Sequence, residues 1–221
     1  NLSNAQIAKL TTTQINGLTA GQIGVITADQ ASAFTAVQAP AFKSMTAFDT
    51  TNVIPNLDPK FVAAIPAAKF AAFTNNQLGE LTGDQVALLS SAQIATLTAD
   101  KVDNGLGADI AYLSKSALAG LSKSNIGNFT LTDLSGDGQF AALTPAQIAL
   151  LSTAQIAAIS ADNAVTMTPA AVAAITATQA PKLTTAAIAS LDPKTISSLS
   201  GPCCLCRCLF IGYREVTITS L

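Results

Sequence analysis

The sequence predicts an all-α fold: a solenoid of very short capped helices, one per eight-residue repeat. Three observations predict it. A large apolar residue recurs every eight positions, a Ser or Thr follows it directly with Gln three residues later, and four prolines fall at the first helical position that this signal defines. Self-similarity at a fixed short period is the mark of stacked repeats, and it outranks any local reading of single segments.

The repeat runs in three phased blocks, 1–42, 57–129 and 143–200, with irregular joins. The first carries Leu2, Leu10, Leu18, Ile26, Phe34 and Phe42. The second runs from Leu57 and Ile65 through Leu121 to Phe129, with Gly105 the only lapse, and the third from Leu143 to Leu199. Three residues before most of these stands a second apolar residue, as at Ile7, Ile15, Ile23, Val86, Ile94, Ile148 and Ile156. Spacings of three and five are not the alternation of a strand, and Ala, Gln and Leu favour helix. One continuous helix is excluded, because eight residues at about 100° each overshoot two turns by roughly 80° and the apolar stripe would spiral away. The helix must therefore stop and restart in every repeat.

The restart is written in the residues. Thr11 with Gln14, Thr19 with Gln22, Thr82 with Gln85, Ser90 with Gln93, Thr144 with Gln147 and Ser152 with Gln155 have the spacing of a capping box. In such a box the hydroxyl accepts from the third backbone N–H of the helix, and the Gln carbonyl accepts from the cap's own N–H. Asp58-Pro59, Thr144-Pro145, Thr168-Pro169 and Asp192-Pro193 place proline where a helix tolerates it. Pro40 and Pro181, each in Gln-Ala-Pro, come too late in the octad for a full helix and predict shortened repeats. A helix of about six residues, roughly 9 Å long, cannot stand alone in water. It must stack on its neighbours, with Ile and Leu inward and small Ala permitting close approach. Two octads per coil predict a rod of roughly 110 Å, and three a prism near 70 Å. Capping consumes the Thr and Ser hydroxyls, which argues against a free hydroxyl surface for ice, glycan or mineral.

The joins are the better places for a ligand, since departures from a repeat gather on one face. Over Val102 to Ile110 the helix signal fades, and an irregular corner or loop is expected. The segment from Asp133 to Phe140, DLSGDGQF, resembles the first eight positions of an EF-hand or dockerin calcium loop. Asp133, Ser135 and Asp137 would supply oxygens, with the Gln139 carbonyl next and Gly138 at the tight turn. Position twelve, however, is Thr144 and not a bidentate acid, so a Gly-rich turn competes with the metal reading and calcium is the only cofactor in view.

The last residues, 201–221, form a Cys-rich, non-repeat tail holding Cys203, Cys204, Cys206 and Cys208. Four thiols within six residues crowd badly around one zinc ion, and zinc sites want two separated pairs or His partners. A terminal anchor, an altered reading frame or an appended tail would each produce such a switch in vocabulary.

Composition narrows the function. The 221 residues carry a net charge of −2 and no His or Trp, which offers no basic field for nucleic acid or anionic lipid and removes the commonest general base. No apolar run is long enough to predict a transmembrane helix. The chain opens on Asn1 within the repeat, and reads as a processed product or a segment of a longer protein. Asp29, Asp84, Asp100, Asp109, Asp162 and Glu80 are scattered at positions expected to face solvent, with no nucleophile–base pair and no phosphate-cradling loop. The chain is read as not an enzyme.

Octads such as LTPAQIALLSTAQIAAIS, Leu143 to Ser160, resemble the LTxxQIxxL arrays of large bacterial surface or secreted repeat proteins, some adhesin-like and some linked to haem use. The resemblance implies an extracellular or cell-surface location and a structural role as stalk, filament or lattice element, with an adhesive or peptide- or glycan-binding module as the alternative. The partners it implies are the chain itself, as a homo-oligomer or filament, or other surface proteins. The haem link transfers poorly to a chain without His.

Overall fold

The computed structural model describes residues 2–48, 53–122, 125–127, 139–192 and 195. The described residues are helical, with many short helices and no strand. The chain divides into two compact units, Asn1–Phe129 and Thr130–Leu221.

The first unit contains α1 (Asn4–Ala8), α2 (Thr12–Asn16), α3 (Ala20–Ile23), α4 (Ala28–Ala31), α5 (Pro59–Ala63), α6 (Ala67–Phe70), α7 (Asn75–Gly79), α8 (Gly83–Ala87), α9 (Ser91–Ala95) and α10 (Lys115–Leu118). The second contains α11 (Pro145–Leu150), α12 (Thr153–Ala157), α13 (Ala161–Val165), α14 (Pro169–Ala173) and α15 (Thr185–Ser190). Each helix has four to six residues, slightly shorter than the octad spacing predicts because the residue before the next cap already turns out of the helix. The caps are extended, with ψ near 160° at Ser3, Thr11 and Thr19, so the chain turns a corner before each of these helices.

Pro40 and Pro181 act as expected: Ala39–Ala41 and Ala180–Lys182 are single 3₁₀ turns without a side-chain cap bond. The stretch expected to be an irregular corner or loop is instead helical but distorted. Lys101–Leu106 is a π-turn and Gly107–Tyr112 a 3₁₀ helix. Gly105 explains why. A Cβ there would lie 2.8 Å from Leu78 Cδ1, so the octad's large apolar residue cannot occupy that position. The wider turn brings Leu106 into the core instead, at 2% exposure, and Gly107 reverses the chain at φ 51°.

Packing follows a fixed offset. In the first unit α1 packs on α4, α5 on α8, α6 on α9 and α9 on α10; in the second α11 packs on α14 and α13 on α15. The caps of these pairs, such as Ser3 and Thr27, Asp58 and Thr82, or Thr144 and Thr168, stand three octads apart. The Ile and Leu positions of the octad form the interior: Val86, Ile94, Ile148 and Ile156 are at most 1% exposed, and Leu81, Leu89 and Leu97 are also buried. Around the first join Phe34, Phe42, Phe48 and Phe61 form one aromatic cluster, with ring centroids 5.1–6.5 Å apart and mostly edge-on.

Candidate functional site

Each capping box is closed from both sides. Thr11, Thr19, Thr82, Ser90, Thr144 and Ser152 accept from the backbone N–H of Gln14, Gln22, Gln85, Gln93, Gln147 and Gln155, and each Gln carbonyl oxygen accepts from the cap's N–H in return. The return bonds measure 2.8–2.9 Å. The hydroxyls are therefore engaged locally.

The other end of the Gln amide does something the octad spacing does not reveal. Gln85 Nε2 donates to Ile54 O at 2.8 Å and Leu57 O at 2.7 Å, which are 31 and 28 residues earlier. Gln38 does the same to Ile7 O and Leu10 O, Gln93 to Val62 O and Ile65 O, and Gln179 to Ile148 O and Leu151 O. Across the first join Gln77 donates to Met45 O and Phe48 O. For Gln38, Gln85, Gln93 and Gln179 the acceptors are the corner carbonyls that precede the helix on which the Gln-bearing octad packs. One amide thus caps its own helix and clamps the previous layer's corner. With its carbonyl and both N–H groups bonded, it can be buried without the usual penalty, and Gln77, Gln85 and Gln93 are each 1% exposed.

Two lysines take the same position. Lys69 Nζ donates to Pro40 O and Phe42 O, and Lys101 Nζ to Ala71 O. Asn125, one methylene shorter than Gln, reaches Leu97 O only at 3.5 Å and leaves its buried Oδ1 without a partner. The sequence did hold a signal for this ladder. A capping box accepts Glu as readily as Gln, yet both Glu residues, Glu80 and Glu215, stand outside the boxes. A second donor function is the physical reason for that exclusion.

The edge nearest the N-terminus presents the same groups uncovered. Gln6, Gln14 and Gln22 close their boxes but are exposed. Leu10, Leu18 and Ile26 are half-buried, and Leu2 is 45% exposed, where their counterparts in later layers are buried. Leu2, Ile7, Leu10, Leu18, Gln22, Val25, Ile26, Gln30 and Phe34 line an open depression of about 430 Å³ there.

The carboxylates do not assemble a reaction centre among the described residues. Asp29, Asp84 and Asp162 are exposed and Glu80 is half-buried. Asp100 accepts from Asn75 Nδ2 at 2.7 Å and Asn104 Nδ2 at 2.8 Å. These bonds, with Lys101 adding a smaller effect, hold its carboxyl below the ordinary value of 3.8. Asp109 departs from the expectation of a solvent-facing carboxylate: it is half-buried, and burial pushes its carboxyl above 3.8. Among the described residues no three His, Cys, Asp or Glu side chains gather as a metal site. Of the calcium-loop residues Gln139 is described and buried, while Asp133, Ser135 and Asp137 lie outside the described residues, as do Cys203, Cys204, Cys206 and Cys208. Thr144, at the loop's twelfth position, is the N-cap of α11. No described helix is long and apolar enough to cross a membrane.

No protein-family model, curated protein or solved structure matches this chain. The functional reading therefore rests on the ladder, the open edge and the chemistry of the side chains.

Proposed function

We propose that this chain is a non-catalytic structural repeat protein, a solenoid with three octads per coil, serving as a stalk, filament or lattice element of a bacterial cell surface or extracellular assembly. The observation that carries the reading is the ladder of Gln side chains clamping corner carbonyls 28 and 31 residues earlier. A helix of one turn and a half gains little from its own hydrogen bonds, so these links and the Ile/Leu interior provide its stability. Such a design delivers length and regularity, not a reaction centre. The low charge, the engaged hydroxyls and the scattered carboxylates support the same reading, and the resemblance of the octads to surface-protein arrays supports the location.

Electron microscopy of the 221-residue chain over a concentration series tests it. Rods that lengthen or associate laterally with concentration are expected. Uniform particles that do not assemble, yet bind a glycan or peptide in a calorimeter, would replace the structural role by the adhesive one.

A further inference from the structure

We infer that Asn16, in the pair Asn16-Gly17, is a site of spontaneous modification at which the amide converts to an aspartyl or isoaspartyl residue. Asn-Gly occurs twice in the sequence, at Asn16-Gly17 and at Asn104-Gly105, and the same chemistry is open to both. The glycine backbone nitrogen, having lost its proton to solvent base, attacks the Asn Cγ. An N–Cγ bond forms, the Cγ–Nδ2 bond breaks, and the side-chain nitrogen leaves as ammonia. Water then opens the cyclic imide at either carbonyl, which gives the two products. Glycine favours the attack because no Cβ crowds its nitrogen and its backbone turns freely.

The fold separates the two pairs. Asn16 is the last residue of α2 and Gly17 its C-cap, and both are exposed. The corresponding octad positions are exposed in later layers too, at Ala87 and Leu88 and at Ala95 and Thr96, so this exposure belongs to the octad and not to the place of α2 in the chain. The Asn16 side chain has no hydrogen-bond partner among the described residues. Gly17 N–H donates to Thr13 O and Gln14 O at 3.1 Å each, bonds that water replaces when a helix end frays. Release of that N–H and rotation about the Asn16 ψ bring nucleophile and carbon together. Asn104 is held instead. Its Nδ2 donates to Asp100 Oδ1 at 2.8 Å. Gly105 is buried in the π-turn Lys101–Leu106, so close to α7 that a Cβ would stand 2.8 Å from Leu78 Cδ1. Attack there requires breaking the amide–carboxylate bond and lifting Gly105 off α7. At position 16 the product adds a negative charge to the last turn of α2, where the free carbonyls disfavour it, and the isoaspartyl form lengthens the backbone by one carbon just before the corner at Thr19.

Incubating the 221-residue chain at mildly alkaline pH, folded and in urea, tests this. Peptide mapping by mass spectrometry reads the amide-to-acid exchange, and enzymatic methylation marks the isoaspartyl product. In the folded chain, conversion at position 16 should run at least about tenfold faster than at position 104, the effect on a barrier of one hydrogen bond to a charged acceptor. In urea the two positions should convert at similar rates. Gly17→Ala, with folding verified by far-UV circular dichroism, should lose most of the conversion at position 16. Equal rates at the two positions in the folded chain overturn the inference, as does a position 16 that stays intact there. Undiminished conversion in Gly17→Ala overturns the imide route, and a preference for position 16 that persists in urea makes it a property of local sequence and overturns the role of the fold.

Discussion

Replacing Gln85 by Met removes one amide while retaining side-chain length, which limits any cavity. Three bonds are lost: Thr82 N–H to Oε1 at 2.8 Å, and Nε2 to Ile54 O and Leu57 O at 2.8 and 2.7 Å. Ile54 O still receives Leu57 N–H at 3.3 Å, so two groups, Thr82 N–H and Leu57 O, carry most of the loss. At about 1–3 kcal/mol for each buried group left unpaired, the cost is about 2–6 kcal/mol. Gln14→Met is the matched reference. It breaks the equivalent box bond, Thr11 N–H to Oε1 at 2.8 Å, but at an exposed position, where water replaces the amide and the cost stays below about 1 kcal/mol. Urea unfolding followed by circular dichroism gives the global difference. Because repeat arrays open locally, hydrogen exchange at the Thr82 and Thr11 amides gives the local one. If Gln85→Met costs no more than Gln14→Met, the inter-layer bonds contribute nothing and the ladder is not what joins the layers.

Glycines separate close approach from mere flexibility. Gly120→Ala would place a Cβ 2.1 Å from Ser91 O and should destabilise by about 1–3 kcal/mol, whereas Gly21→Ala meets nothing within 4 Å and should stabilise by about 0.5–1 kcal/mol, both read from thermal melts. For Lys69, whose ammonium donates to Pro40 O and Phe42 O, Gln should substitute within about 0.5 kcal/mol and Met should cost about 1–3 kcal/mol; equal melting of the two variants would deny the equivalence of Lys and Gln in the ladder. Asp100 is held below 3.8, so its stabilising contribution is complete above 3.8 and is lost as pH falls through its folded value. Asp109 is held above 3.8, so the penalty of its charge is full above its folded value and is gone below 3.8; Asp109→Asn should stabilise at neutral pH, an effect that fades as pH falls from the folded value to 3.8, and Asp100→Asn should destabilise there, an effect that fades only below 3.8. Millimolar calcium should leave the melting temperature unchanged, because the residue at the loop's twelfth position, Thr144, has its hydroxyl on Gln147 N–H at 3.3 Å; a rise of several degrees would restore the calcium site.

Local features were legible and long-range ones were not, for a physical reason. Thr11 with Gln14 and Ser90 with Gln93 act within one turn, so a spacing of three residues states the whole interaction. Pro40 and Pro181 shorten their helices through covalent geometry alone. Val102 to Ile110 read as an irregular corner or loop because Gly105 looks like a lapse in sequence, whereas its cause lies at Leu78, far back in the chain. Asp109 was misplaced for the same reason, since its burial depends on layers that the octad pattern does not count. The partners of Gln85 could not be found from spacing either. They depend on how many octads make a coil, and eight-residue periodicity is equally compatible with two or three.

The ladder also accounts for the interruptions that the array carries. Gln38 and Gln93 place an amide on a corner carbonyl pair, Lys69 an ammonium on Pro40 O and Phe42 O, and Lys101 an ammonium on Ala71 O alone. Asn125 falls short by a methylene, reaching one carbonyl at 3.5 Å with its own oxygen unsatisfied. Where Ala117, Ala171 or Ala187 stands there, the side chain is buried and the cap hydroxyl still accepts the helix N–H. Those layers lean on apolar packing instead of the ladder. In the solenoid proposed above each layer is joined to its neighbours alone, so scattered defects are tolerated.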